Sequence, residues 1–329
     1  MAKGSNMCRA GFRNAGIFPL LIVIASASMA VVEPRFFSPL NILNVARNAS
    51  FLTILALGQM LVIVVGGFDI SIGATVALSS VVAALAMGHI AQAMQFSDIM
   101  VVVAGGLCGL GVGAIVGLLN GVLVSRLKIV PFMVTLGMTS IVLGLAFYLT
   151  NGVPIYGMPD IFMNVVGRGT ALGLSYPIWV AVICAAFLYV VMERTPFGRH
   201  VYAVGGNPHA AWASGVRQER VLLFAYGFAG FAAGLVGLLM TARIGSGQAT
   251  LDGTLALESI AAAIVGGASL SGGVGRVGRV VWSALFLTIL SNIFNLARID
   301  SRYHTLFLGV VVLSAVLIEL RLRREAKHG

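Results

Sequence analysis

Ten apolar stretches divide the chain, near residues 17–32, 46–65, 73–88, 99–124, 131–149, 176–192, 221–240, 255–268, 280–296 and 305–320. Most approach the ~20 residues an α-helix needs to cross a hydrocarbon core about 30 Å thick. The eighth is short and Gly-rich, which suits a tilted, broken or re-entrant segment. The pattern predicts an all-α fold, a polytopic membrane bundle of about ten transmembrane helices in one domain over residues 1–329.

Composition agrees. Apolar residues make up 59% of the chain and charged residues 10%, whereas soluble domains carry roughly 25% charged residues. One soluble core of this size would not bury so much apolar surface. The net charge of +10 does not point to nucleic acid, because the basic residues sit at the ends of apolar segments and form no continuous face. With the N-terminus inside, fifteen Lys and Arg residues fall in cytoplasmic loops and tails and six fall outside. The outer set includes Arg47 and Arg243. This bias orients helices with their basic flanks in the cytoplasm, so both termini are expected there. Ser28-Met29-Ala30 resembles a signal-peptidase site, but apolar residues continue through Val31 and Val32, which favours a retained first helix. Cys8, Cys108 and Cys184 are too far apart in sequence for a metal motif and imply no disulfide framework.

Glycines recur at 105, 109, 113, 117 and 121 in the fourth stretch. Positions i and i+4 share a helix face, and a side-chain-free face in lipid lets another helix approach closely. The period does not say whether that helix belongs to this chain or to a second one. Gly230, Gly234 and Gly237 repeat the pattern more weakly in the seventh stretch. Gly66-Gly67-Phe68-Asp69-Ile70-Ser71-Ile72-Gly73 separates two apolar runs. Asp69 or Ser71 can cap the following helix, or the break can line a polar pathway, since irregular backbone at that depth survives only against protein or water. A Val-Gly-Gly core recurs at Val265-Gly266-Gly267, out of step with a five-plus-five duplication.

The cytoplasmic loop from Glu193 to Arg220 contains a short helix signal. Asn207 can cap, Pro208 suits the first turn, and Gly215 suits the stop. Between them lie His209, Ala210, Ala211 and Trp212. The helix either lies on lipid headgroups or docks a protein partner, since Trp and Arg are favoured anchors. Tyr176 and Trp179 open the sixth stretch where an interfacial aromatic belt is expected. The acidic residues fall at segment ends or in loops, with Glu319 at the very end of the last stretch; only Glu258 lies further within one, near its outer end. That scarcity argues against a stand-alone ion-coupled sugar carrier, the alternative reading, which needs ionisable groups near the midplane. Asn120, Thr135, Asn292 and Asn295 are further pathway candidates, although each could simply bond a neighbouring carbonyl. A Walker loop requires Gly-Lys followed by Ser or Thr. The lysines here are Lys3, Lys128 and Lys327, followed by Gly, Ile and His. The chain is therefore expected to be no ATPase or other enzyme, and to bind no cofactor or metal.

Four segments carry a family resemblance. They are Gly66 to Gly73; Leu118-Leu119-Asn120-Gly121 with Leu127 to Gly137; Thr195 to Arg199 with Gly205 to Pro208 and Ser214-Gly215-Val216; and Leu257 with Ile260 to Ala262 and the glycines to Gly273. In this order they resemble the permeases of monosaccharide-type ABC importers, the ribose, xylose, galactose and autoinducer group, which implies a pathway for a monosaccharide or a related small polar solute. The resemblance implies a bacterial inner-membrane permease paired with a second copy, identical or not. It also implies a cytoplasmic ABC ATPase subunit that uses ATP and a periplasmic substrate-binding protein, and it makes the 207–215 helix the coupling element. Membrane lipid is the remaining partner. His209 stands where the family has an acidic residue, and Arg279 and Trp282 stand where small residues are common.

Overall fold

The computed structural model describes residues 17–317, apart from 94, 95, 252, 301, 304, 312, 315 and 316. The basic residues Lys3, Arg9 and Arg13, Cys8, and the C-terminal cluster from Arg321 to Lys327 lie outside the described residues. The fold is all-α. In chain order the helices are α1 (Phe18–Val32), α2 (Pro39–Val64), α3 (Ile72–Ala93), α4 (Asp98–Ser125), α5 (Pro131–Thr150), α6 (Tyr176–Arg194), α7 (Pro196–Gly206), α8 (Pro208–Ala213), α9 (Gln218–Ile244), α10 (Leu255–Val265) and α11 (Val277–Leu296). The described residues between 302 and 317 are also helical. One two-stranded hairpin, Thr170–Ala171 with Leu174–Ser175, interrupts the connection from α5 to α6.

Seven of these helices, α2 to α6, α9 and α11, are long and apolar enough to cross a membrane among the described residues. The sequence pattern suggested about ten. Of the other three stretches, α1 has 15 residues and α10 has 11, and the last is only partly described. At 1.5 Å per residue α10 is only about 16 Å long, so the eighth stretch is short, as its glycines suggested.

Helix starts follow local chemistry. Proline occupies the first turn of α1, α2, α5, α6, α7 and α8, where its missing N–H leaves no partner unsatisfied. Ser38 Oγ accepts from Asn41 N–H at the start of α2. That start lies upstream of the apolar run at 46, so Arg47, expected in an outer loop, sits inside α2. Arg243 likewise lies in the last turn of α9. Both corrections have one cause. Asn41, Asn44, Arg47 and Asn48 lower the local hydropathy, yet Asn41 and Asn48 have polar partners on other helices.

Helix α2 is the central rod. Residues Ala49 to Val64 are buried throughout, and α9, α10, α11 and α6 pack around them. Helices α5 and α6 instead present Met133, Tyr148, Val182 and Ile183 at the surface, a tolerable arrangement in lipid. Helix α1 packs on α11 through Met29 and the Phe18–Phe286 ring contact. Trp179, expected as an interfacial anchor, also has a structural role, since its indole N–H donates to Ala171 O at 2.9 Å.

Candidate functional site

The glycine face of α4 meets helices of this same chain. A Cβ on Gly113 would lie 2.5 Å from Gly230 O and 2.7 Å from Gly234 Cα, both on α9. Gly117 and Gly121 face Tyr226, Gly230 and Leu223 of α9, whereas Gly105 and Gly109 face Met87, Ala83 and Ser79 of α3. The α4–α9 seam is therefore backbone on backbone, with Gly230 and Gly234 supplying the opposite side. Gly237 instead faces Val76 and Ser80 of α3.

In the break from Gly66 to Gly73 the polar side chains of Asp69 and Ser71 are buried and bonded. Asp69 is 2% exposed, and its Oδ1 accepts from Ser71 N–H at 2.8 Å and from Ser71 Oγ at 2.6 Å. Asp69 thus closes a two-residue turn before α3 and does not cap a helical N–H as the sequence suggested. Ser71 O takes the first helical bond, from Thr75 N–H at 2.8 Å. Asn120 Nδ2 donates to Ser71 Oγ at 2.8 Å, and Thr135 Oγ1 donates to Phe68 O at 3.2 Å. Tyr226, which the sequence did not single out, brings its hydroxyl to Phe68 N–H at 3.3 Å. These bonds give most of the buried polar groups here a partner; Asn120 Oδ1 has none among the described residues.

Asn292 and Asn295 lie at the opposite end of the bundle. Asn292 exchanges two amide hydrogen bonds with Asn41, at 2.9 and 3.0 Å. Asn41 and Val64 are separated by about 35 Å of helix at 1.5 Å per residue. The pathway candidates from the sequence therefore fall into two groups, one at each end of α2.

The Glu193–Arg220 segment is more ordered than a loop with one helix. Thr195 Oγ1 accepts from Gly198 N–H at 3.3 Å and starts α7, which buries Gly198, Val201, Val204 and Gly205. Asn207 Oδ1 then accepts from Ala210 N–H at 3.0 Å and starts α8. Gly215, at φ +80°, ends α8 with bonds from Gly215 N–H to Trp212 O and from Val216 N–H to Ala211 O, the paired pattern of a glycine stop. Ala211 is buried, while Pro208, His209 and Ala210 are exposed and Trp212 is 73% exposed.

Helix α7 ends at a junction of three backbones. Gly273 N–H donates to Val64 O at 2.8 Å, and a Cβ on Gly272 would lie 2.6 Å from Gly205 O and 3.1 Å from Gly66 N. Tyr202 Oη donates to Gly275 O at 2.9 Å. The two Val-Gly-Gly cores close their helices with the same bond pattern but one residue out of register, at the first glycine of one and the second glycine of the other. Gly66 and Gly67 N–H bond to Ile63 and Val62 O, while Gly267 and Ala268 N–H bond to Ile264 and Ala263 O. Gly66 and Gly267, with φ of +80° and +87°, thus end α2 and α10 in the same way.

The family model described as "Branched-chain amino acid transport system / permease component" matches residues 41–316. The chain is 36% identical over 305 residues to the ribose import permease protein of Bacillus subtilis (strain 168), covering 92% of this chain and 90% of that protein. It belongs to the permease family of the monosaccharide ABC importers. This permease is also 34% identical over 318 residues to the fructose import permease protein of Rhizobium meliloti, covering 94% of this chain and 86% of that one. It is 34% identical over 316 residues to the galactose/methyl galactoside import permease protein of Escherichia coli (strain K12), covering 93% and 94%. No solved structure matches the chain.

Proposed function

We propose that this chain is the membrane-spanning subunit of a bacterial ABC importer and forms the inner-membrane pathway for a monosaccharide. The observation that carries the reading is the end-to-end similarity to ribose, fructose and galactose import permeases. In the proposed assembly two permease copies stand together, a periplasmic binding protein delivers sugar to one end, and a cytoplasmic ATPase acts at the other. Both chain termini and the α7–α8 segment face the cytoplasm, in keeping with the Lys and Arg bias.

Residues Asn207 to Gly215 serve as the coupling helix. Trp212 supports this role because a large aromatic on a capped helix, left 73% exposed among the described residues, is a suitable anchor for a partner. Helix α8 follows directly from the α7 junction, so a push on α8 reaches the end of α2 and the Gly272–Gly273 turn that follows α10 through backbone contacts. No covalent chemistry is involved. Sugar passage rests on weak polar contacts, because tight binding would prevent release. The test is Trp212→Ala in the reconstituted importer. Sugar-stimulated ATP hydrolysis and ATPase co-purification should both fall while the permease stays folded. Full association with full sugar-stimulated hydrolysis would remove Trp212 from this role.

A further inference from the structure

At the end of the bundle remote from α7 and α8, helices α2, α9, α10 and α11, with Leu308 beyond them, line a partly open cavity of about 190 Å³. Its polar wall is Asn48, Glu258, Thr288, Ser291, Asn292 and Asn295. Phe51 contributes an aromatic surface, and the rest of the apolar part is Leu52, Met240, Leu255, Leu287 and Leu308. Arg243 stands beside it, with its guanidinium 5.8 Å from the centre of the Phe51 ring and a bond to Asn48 Oδ1. Glu258 accepts from Thr254 Oγ1 at 2.6 Å. Arg47, adjacent to Asn48 in sequence, has its Nε buried without a hydrogen-bond partner.

The chemistry of this wall selects among solutes. Amides and hydroxyls both donate and accept, and a carboxylate accepts only. Asn292, Asn48, Glu258 and Thr288 already bond to Asn41, Arg243, Thr254 and Ala284 O, and each keeps further donor or acceptor capacity. A sugar hydroxyl both donates and accepts, so a ring of hydroxyls can use that remaining capacity, which a hydrocarbon cannot. Glu258 opposes an anion, and Arg243 opposes a cation. The ring face of Phe51 suits the C–H side of a sugar. From these features we infer that the cavity is a transit subsite for a neutral polyhydroxylated solute, a monosaccharide that has left its binding protein. The inference rests on the importer reading above and assigns residues to it. Its mixed lining, without a cluster of charges on one side, fits a site that must release its occupant.

The test uses the whole importer, permease with ATPase and binding protein, after the wild type has been scored for import of ribose, fructose and galactose. Ser291→Cys is made in a chain whose Cys8, Cys108 and Cys184 are replaced by serine, and a small methanethiosulfonate is added from the binding-protein side. Modification should lower import at least fivefold, and a saturating amount of the best-imported sugar should slow modification at least threefold. Leu172→Cys, at an exposed loop position, should react at one rate with or without sugar. Glu258→Gln adds a second readout. It should lower import of the sugar more than import of that sugar's deoxy analogues, whereas a purely structural role would lower all of them equally. If the wild type imports sugar but Ser291→Cys is neither inhibited nor protected, the subsite is overturned and the importer reading stands. If the wild type imports none of the three sugars, both fall.

Discussion

Gly113→Ala should destabilise this permease, and Gly111→Ala should not. The two positions are two residues apart on α4, so helix propensity acts on both alike and favours alanine by about 1 kcal/mol. Their surroundings differ. A Cβ at 111 meets nothing within 4 Å, whereas a Cβ at 113 lies 2.5 Å from Gly230 O and 2.7 Å from Gly234 Cα. Ordinary contact begins near 3.4 Å, and the obstructing atoms are backbone, which no rotamer change can move aside. Helices α4 and α9 would have to separate by nearly an ångström along their seam. Overpacking of this kind typically costs about 1–3 kcal/mol. For a chain of this size that difference corresponds to roughly 2–10 °C in melting temperature. The assay is thermal unfolding of detergent-purified wild type, Gly111→Ala and Gly113→Ala, read by loss of the monodisperse peak in size exclusion. Equal melting temperatures for the two variants would show that the seam is looser than these distances require.

Two further outcomes bear on orientation and on the junction. In a cysteine-free background, Ser214→Cys should resist an impermeant thiol reagent in intact cells while Leu172→Cys reacts; ready labelling of Ser214→Cys would reverse the proposed orientation. Gly205→Ala places a methyl against Val64 O and 2.5 Å from Gly273 N, so it should lower coupled transport far more than Gly206→Ala, where nothing lies within 4 Å; equal transport by the two variants would refute a tight junction.

Much of the fold was legible because hydropathy and proline mark helices directly. The boundaries of α5 and α6 differ from the apolar runs at 131–149 and 176–192 by two residues or fewer. The exceptions have physical causes. The first turns of α2 are polar because Asn41 and Asn48 bond across to Asn292 and Arg243, and a hydropathy pattern cannot distinguish such partners from solvent. Helix α7 was not singled out, because its glycines at 198, 205 and 206 interrupt the apolar pattern. Gly198 and Gly205 are small because a side chain there would strike Met192 O and Val64 O. Their amphipathic spacing with Val201 and Val204 was the available signal. The glycine period of α4 identified a packing face but not its neighbour, since a period carries no long-range information. Asn120 and Thr135 were picked as single polar residues, and only the fold joins them to Ser71 and Phe68. Glu258 was noticed in isolation. Its companions Asn48 and Ser291 come from helices distant in sequence, and nothing local links them.

The covered central helix has a mechanical consequence. Its 26 residues form a rod about 39 Å long, held at one end by the backbone bond from Gly273 and carrying Asn41 and Asn48 toward the other. Such a rod is a lever. A tilt of about 5° around the held end moves the far tip by roughly 3 Å over that length, about the reach of one hydrogen bond. A displacement too small to disturb packing near the fulcrum is therefore large enough, at the tip, to make or break the contacts of Asn41 with Asn292.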